Sequence, residues 1–183
     1  MIRNGAVLVL SAALTAAPAA AGERRELGAH EHGRSVLGIA VEGGRVALEL
    51  KAPGADIVGF EHPARTDAER AAVRDAEAAL ADPLALFVPP GAASCRVTDS
   101  KVELETEAQR DGQIGDEREG HAEFRAEYAL ECAAPSALSS LTPAFFDRLP
   151  NAERIGVTLV TERGQTAFEV QRGAVRVPLE GLP

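Results

Sequence analysis

Four histidines are the side chains of this sequence best suited to chemistry, and two of them, His30 and His32, are two positions apart. In an extended segment, residues at i and i+2 project to the same face, with Cα atoms about 6.6 Å apart. Two imidazoles at that spacing can each approach one metal ion at about 2.0–2.1 Å. The pair is equally compatible with a solvated, charged N-terminal tail, so the spacing leaves both interpretations open.

The other two histidines, His62 and His121, stand apart from this pair. His121 is the natural third ligand if the N-terminal segment docks beside it; otherwise it is an exposed histidine among carboxylates, which favour its charged form. His62 precedes Pro63, and a residue before proline is held extended. We therefore expect His62 to be a packed or hydrogen-bonded loop residue and only a secondary candidate ligand.

The inventory of ligands restricts the metal. The one methionine is Met1, and there are only two cysteines, so Cu(I) and iron–sulfur chemistry are disfavoured. Imidazole together with carboxylate suits Zn²⁺ and would also accept Cu²⁺ or Ni²⁺ on grounds of affinity. The residues alone leave these three divalent ions open.

The composition argues against two functional classes. The 183 residues include 28 Asp+Glu and 19 Lys+Arg, a formal charge of −9, with one Tyr, six Phe and no Trp. Such a chain lacks the positive field and the stacking aromatics that nucleic acid requires. It also lacks the nucleophile elbow, the zinc-protease motif, the phosphate-binding loop and the dinucleotide fingerprint. We therefore expect a protein that is not an enzyme and does not bind nucleic acid.

Residues 1–21 have the pattern of a secretory signal peptide. Arg3 precedes a short run rich in Val, Leu and Ala, which is interrupted by Pro18 and ends in small residues at Ala21. A membrane span would need about 20 apolar residues, more than this run provides. We expect cleavage after Ala21, export to the periplasm and no membrane insertion afterwards, leaving residues 22–183 as a single domain.

Export decides how the two cysteines are interpreted. Cys95 and Cys132 are the only pair, and an oxidising compartment favours a disulfide between them. The alternative is two free thiols with a catalytic or metal-binding role, but no C-x-x-C motif supports it. Closing a loop of this length would stabilise the fold by roughly 4 kcal/mol in the chain-entropy model.

The strands that must position these residues are predicted from the alternation of apolar and polar residues along the sequence. The predicted hairpins comprise residues 35–42 with 45–51 around Gly43-Gly44, and residues 155–161 with 165–170 around Arg163-Gly164. Residues 174–179 could add a last strand. The segment from Cys132 to Leu149-Pro150 is predicted to be a short helical or irregular patch, and residues 52–63 a connection.

Residues 94–106 and 120–132 are predicted to form a hairpin that carries His121 at its mouth, on the polar face with Glu123 and Arg125 and near Glu107. The apolar residues change parity along the first strand, so a β-bulge near residues 98–101 is needed to keep them on one face. The predicted cross-strand pairs are Cys95–Cys132, Val97–Leu130, Val102–Ala126 and Leu104–Phe124. Residues 107–119 are predicted to be a solvated acidic loop.

One helix is clearly signalled, at about residues 66–81. Thr66-Asp67-Ala68-Glu69 fits a capping box, in which the Thr hydroxyl and the Glu carboxylate each satisfy an amide of the first turn. Val73, Ala76 and Leu80 form its apolar stripe, and Asp82-Pro83 is predicted to end it. The predicted fold class is therefore α+β: a β-rich single domain of antiparallel hairpins with one clear helix.

Four short motifs follow one another in a characteristic order. They are Ala29-His30-Glu31-His32-Gly33, Gly59-Phe60-Glu61-His62, His121-x-Glu-Phe leading to Tyr128 and Cys132, and Gly164-Gln165. Together they resemble the ZrgA-like family of periplasmic zinc-binding proteins, long catalogued as a domain of unknown function. The resemblance covers nearly the whole mature chain.

The resemblance implies a zinc binder that supports uptake or buffering, with a periplasmic zinc-uptake component as partner. Many members carry a long His- and Asp-rich insertion before the segment that matches His121, whereas residues 107–119 here contain no His. What carries over is at most one ordered zinc site with His30, His32 and His121 as ligands and His62 as a secondary candidate. Water or a carboxylate such as Glu107 would take the fourth position, and such an open site suits metal exchange.

Two other functional hypotheses remain at this point. The chain could be a disulfide-stapled periplasmic interaction module without metal, acting through its sheet or its acidic loop. It could also be a metal-dependent hydrolase that uses the same histidines with a general base beside a metal-bound water.

Overall fold

The computed structural model describes residues 34–106 and 121–180. The predicted signal peptide, His30, His32, Glu107 and the acidic loop lie outside the described residues. Within the described part of the chain, no helix has the length and apolar character needed to cross a membrane.

Nine strands contain about half of the described residues, and their bounds are as follows. They are β1 (Arg34–Glu42), β2 (Arg45–Pro53), β3 (Phe87–Val88), β4 (Cys95–Thr106), β5 (Ala122–Cys132), β6 (Ser140–Pro143), β7 (Arg154–Thr161), β8 (Gly164–Gln171) and β9 (Val177–Pro178). The helices are α1 (Gly54–Ile57), α2 (Asp67–Leu80), α3 (Pro83–Leu86) and α4 (Phe145–Arg148), with 3₁₀ turns at Gly91–Ala93 and Pro135–Ala137. The β-rich α+β fold class predicted from the sequence is confirmed.

The large sheet has six strands in the order β4-β5-β2-β1-β7-β8, and a small one has the order β3-β6-β9. Both predicted hairpins, β1–β2 and β7–β8, are present. The prediction of antiparallel hairpins alone is incomplete, because β1 and β7 pair in parallel, with Leu37 opposite Val157. This pairing joins strands that are remote in sequence, and local periodicity carries no signal for it.

The β4–β5 hairpin has the predicted register. Cys95 lies opposite Cys132 and Val97 opposite Leu130, and the register then shifts by one between Val97 and Asp99. This shift is the predicted bulge, and it places Val102 opposite Ala126 and Leu104 opposite Phe124. The predicted disulfide between Cys95 and Cys132 is also present.

The predicted capping box begins α2. The Thr66 hydroxyl accepts from the Glu69 amide at 3.1 Å, and the Glu69 carboxylate accepts from the Thr66 amide at 2.9 Å. Ala76 and Leu80 are buried, as their positions on the predicted stripe require. Asp82 does more than end this helix: its carboxylate caps α3 by accepting from the Ala85 amide at 3.3 Å.

A single apolar core joins the two sheets and the helices. Its sheet residues alternate along the strands and are buried on one side of the large sheet, here called the inner face; they include Leu37, Leu50, Phe124 and Ile155. Phe87 of β3 stacks on Phe145 of α4 with ring centroids 5.7 Å apart. The opposite side, the outer face, faces away from this core.

Three local predictions need correction. The predicted connection at 52–63 contains the end of β2 and the short helix α1, and the patch after Cys132, which contains the helix α4 as a helical patch would, also contains the strand β6. The last strand is only Val177–Pro178 rather than 174–179. These elements span two to four residues, too few for a periodic pattern to distinguish them from loop.

The register places defined residues at the two ends of the large sheet. One end, here called the histidine end, holds the starts of β1, β5 and β7 and the ends of β2 and β4, so that Thr106 lies opposite Ala122 and Arg34 opposite Arg154. The other, the disulfide end, holds the Gly43-Gly44 turn and the Cys95–Cys132 pair.

Candidate metal centre

His121 lies at the histidine end, directly before β5, and contacts a carboxylate from a different part of the chain. Its Nδ1 is 2.6 Å from Oε2 of Glu61, in the loop between α1 and α2. The Glu61 side chain is only 12% exposed, whereas that of His121 is 52% exposed. A largely buried carboxylate therefore holds one ring nitrogen of a histidine whose ring reaches solvent.

Close backbone packing positions Glu61 beside the start of β5. Gly54, the first residue of α1, lies so near this loop that a Cβ atom there would come within 2.5 Å of the Phe60 carbonyl oxygen and 3.1 Å of the Ala122 carbonyl oxygen. Only glycine permits such an approach between backbones without displacement. Phe60, the residue before Glu61, and Ala122, the first residue of β5, therefore both pack against Gly54.

This arrangement suits an imidazole for metal binding. When the ring is neutral and Nδ1–H donates to Glu61, Nε2 is the nitrogen that carries the lone pair a metal ion would use. Metal-binding histidines commonly donate their second ring nitrogen to a carboxylate, which fixes the tautomer and raises the basicity of the ligand atom. Glu61 therefore gives His121 the support typical of a metal-binding histidine.

His62 is held differently, although it is the next residue after Glu61. Its Nδ1 lies 3.0 Å from the Pro63 carbonyl oxygen, and its ring stacks on Phe60 with centroids 5.0 Å apart. Its Nε2 lies 3.8 Å from Oε1 of Glu69. These are the contacts of the packed, hydrogen-bonded loop residue expected from the Pro63 constraint.

The partner of His62 is the carboxylate that caps α2. The backbone amides of Thr66 and Arg65 both donate to Glu69, and these hydrogen bonds lower the pKa of Glu69 below its ordinary value. The negative charge of Glu69 is thus stabilised at the N-terminus of α2, where the helix dipole also favours it.

Further carboxylates are buried at the histidine end. Asp56 of α1 is 1% exposed and accepts a hydrogen bond of 3.1 Å from the hydroxyl of Ser35, itself fully buried at the start of β1. Glu123 is 7% exposed, and Arg125 donates to it at 3.4 Å and to Glu105 at 3.2 Å. The predicted polar face around His121 is thus partly buried at Glu123, which lies opposite Pro53 of β2.

The structure brings some of the candidate ligands to one end of the sheet. His62 and His121 both lie there, each beside its own carboxylate, whereas His30, His32 and Glu107 lie outside the described residues. Among residues 34–106 and 121–180, no three His, Cys, Asp or Glu side chains are grouped closely enough to hold a metal ion. Of the described candidate ligands, His121 with its Glu61 partner has the contact most typical of a metal-binding histidine.

The sequence did not predict the contacts of two carboxylates in this region, Glu61 and Asp56. Glu61 is adjacent to a candidate ligand within Phe60-Glu61-His62, but its contact with His121 spans 60 positions. Asp56 lies in the segment interpreted as a simple connection. In the sequence, Glu61 and Asp56 are only carboxylates close to His62. The chain has 28 acidic residues, so such a position does not distinguish these two from the others.

The fold and the Glu61–His121 contact define a small β-rich domain with a carboxylate-supported histidine. The family model described as ZrgA family zinc uptake protein matches residues 29–179. The chain therefore belongs to the ZrgA family of zinc uptake proteins. The match includes all four histidines as well as both cysteines. A search of curated proteins found no match.

Proposed function

We propose that this chain is exported to the periplasm, loses residues 1–21, and binds one zinc ion as an accessory to zinc uptake or as a zinc buffer. In this proposal it is a binding protein rather than an enzyme, and zinc is its cargo. His30, His32 and His121 are the ligands, with His62 secondary. The observation that carries the proposal is the Glu61-supported imidazole of His121 at the sheet end where β1 begins.

The length of chain before β1 is sufficient for the proposed site. Only β2 separates β1 from β5, so these strands are about 10 Å apart. His32 and His30 precede Arg34 by two and four residues, which allows a backbone reach of up to roughly 7 and 14 Å. Their imidazoles can therefore meet that of His121 without any change in β1.

The fourth zinc position would be taken by water or a carboxylate. Glu107 directly follows Thr106, which lies opposite Ala122 beside His121, so it starts from the correct end of the sheet. Three histidines with one exchangeable ligand form an open tetrahedral site. Such a site releases its ion more readily than a closed one, as delivery to a zinc-uptake partner requires.

Two further features support the proposed location and cargo. The disulfide is typical of an oxidising compartment, and the acidic composition favours cations over anions. In cell fractionation, the protein should appear in the periplasm with Gly22 as its first residue. Recovery in the cytoplasm with residues 1–21 intact would contradict the proposed location.

The zinc site is tested with the mature protein by isothermal titration calorimetry. Near-stoichiometric zinc binding is expected, and the double variant His30→Ala/His32→Ala should lose at least 100-fold in affinity because two of the three protein ligands are removed. The matched control His62→Ala should keep most of the affinity. Unchanged binding by the double variant, with circular dichroism like that of the wild type, would rule out the site.

A further variant, Glu61→Gln, tests the role of the Glu61 carboxylate in the same zinc titration. It keeps the shape of the side chain but removes the charge that supports His121, so zinc affinity should fall by about 10- to 100-fold. Glu77→Gln, a change of the same kind on α2, serves as the control and should have no effect. Equal affinities for Glu61→Gln and the control would show that His121 binds zinc without this support or does not bind it.

A further inference from the structure

The outer face of the large sheet has a centre of small and weakly polar side chains. Ala129, Ala47, Ala40 and Val160 lie in register across β5, β2, β1 and β7. In the neighbouring row, Gly38 and Thr158 lie opposite each other on β1 and β7, and the row continues with Glu49 and Glu127 on β2 and β5. On the inner face, the same strands carry large residues such as Leu37 and Leu48, so the small size of the outer residues is a property of this face.

This central patch is concave. Two adjoining depressions of about 690 and 420 Å³ lie on it, and both are lined by Ala40, Ala47, Ala129 and Val160. Val160 is 42% exposed and Val36, further along β1, is 46% exposed. The outer face therefore offers accessible apolar surface at the middle of the sheet, where cross-strand pairs hold the backbone on both sides.

The rim of the patch is strongly acidic. Its charged residues are six carboxylates, Glu42, Glu49, Asp99, Glu127, Glu131 and Glu162, and one guanidinium, Arg45. Two carboxylates have cationic neighbours: Lys51 lies 2.9 Å from Glu49, and Arg96 contacts Glu131. Nearby, a hydrogen bond to Glu103 together with the charges of Glu103, Glu127 and Glu105 raises the pKa of Lys101. With Lys51 and Arg96 counted, the rim carries six carboxylates against three cationic side chains, so its net charge is negative.

The dimensions of the patch match one helix. Its outermost strands, β5 and β7, are three strand spacings apart, about 14 Å. An α-helix with its side chains is about 10–12 Å across. Small side chains beneath it would let the helix backbone approach closely, while the carboxylates on the rim would meet basic residues on its flanks.

We propose that the outer face is the docking surface for a basic amphipathic helix of a protein partner. The apolar stripe of that helix covers Ala40, Ala47 and Ala129, and its flanking Lys and Arg pair with the rim. Charge decides against the alternatives, because a second acidic copy of this chain or an anionic lipid surface would be repelled. The proposal is independent of the zinc site, which lies at the histidine end and uses other residues.

The test uses the ¹⁵N-labelled mature protein and a synthetic 14-residue helical peptide with Ala and Leu along one face and Lys and Arg on the flanks. The peptide should shift the amide signals of β1, β2, β5 and β7 and leave those of α2 in place. Ala47→Arg, which puts a bulky cation in the patch, should weaken binding at least tenfold. Ala78→Arg adds the same side chain to an exposed position of α2 and should change affinity less than twofold.

Three results would overturn the proposal. They are equal binding by Ala47→Arg and Ala78→Arg, amide shifts confined to other surfaces, and equal affinity for a peptide with Glu in place of Lys and Arg. Sedimentation of the protein alone provides the remaining check: a monomer agrees with the proposal, whereas a dimer that Ala47→Arg dissociates would assign the face to a second copy.

Discussion

The two ends of the β4–β5 hairpin are held together by different kinds of interaction. At the disulfide end, Cys95 and Cys132 are covalently joined, Cys132 is 3% exposed, and its amide donates to the Gly44 carbonyl at 2.7 Å. At the histidine end, contacts between polar side chains predominate: Glu61 holds His121, and Arg125 bridges Glu105 and Glu123.

The disulfide end therefore serves the stability of the hairpin, whereas the histidine end is where we propose that zinc binds. A disulfide and apolar burial do not depend on the protonation of side chains, so the disulfide end can fix the register of the hairpin over a wide range of pH in an oxidising compartment. Polar groups at the histidine end can change partners, as the proposed zinc site would require, because hydrogen bonds and ion pairs contribute only about 0.5–3 kcal/mol each. The disulfide end holds the hairpin in register, so contacts at the histidine end can be exchanged without loss of the pairing between β4 and β5.

The largest expected effect is at the disulfide end. Replacing both cysteines, Cys95→Ala with Cys132→Ala, should lower the free energy of unfolding by about 4 kcal/mol, because the unfolded chain regains the entropy of an open loop. Urea unfolding measures the change, and the wild type in reductant is the control. If zinc affinity fell in parallel while the protein remained folded, the two ends would not be independent.

Next in size is a change beside the histidine end. Arg172 donates to the carbonyl oxygens of Phe146 and Pro150 at 2.6 and 2.7 Å, to that of Leu149 at 3.2 Å, and to that of Ala152. Arg172→Met should cost about 3 kcal/mol, since several carbonyls lose a charged donor. Arg172→Lys, which keeps the charge but not the planar fork, should recover only part of this. Thermal unfolding measures both variants, and an Arg172→Lys protein as stable as the wild type would show that charge alone matters.

A smaller effect is expected at the glycine that packs the site together. Gly54→Ala would place a Cβ atom 2.5 Å from the Phe60 carbonyl oxygen, so the loop that carries Glu61 must move. We expect a loss of about 2 kcal/mol, in the range of overpacked positions, together with weaker zinc binding in calorimetry. Gly91→Ala is the control, because a Cβ there meets nothing within 4 Å. A harmless Gly54→Ala would show that the close approach is not needed.

The smallest effect concerns Glu69, and it should depend on pH. Its folded-state pKa is lowered from the ordinary 4.5, chiefly by the Thr66 amide, so its contribution is present above pH 4.5 and is lost as pH falls through the lower folded value. The stability difference between wild type and Glu69→Gln should thus be larger at pH 7 than at pH 3 in urea unfolding. Glu77→Gln is the control, and a difference that grows towards low pH would contradict the assigned sign.

Local sequence determined much of this fold. The parity change between Val97 and Val102 required a bulge, Thr66 and Glu69 specified the start of α2, and the only two cysteines predicted the pair that fixes the β4–β5 register. Each of these depends on residues near in sequence or on side-chain periodicity. The order of the four short motifs, three of which contain a histidine, was likewise enough to predict the family.

Only the tertiary structure decided which groups meet. The parallel pairing of β1 with β7, the burial of Asp56 and the contact of Glu61 with His121 all join residues separated by 20 or more positions. The contact of Glu61 with His121 depends on how the loop after α1 packs against the start of β5, and many carboxylates of equal chemistry compete for it in the sequence. Periodicity therefore specifies which face a side chain occupies, but the packing of distant segments selects its partner.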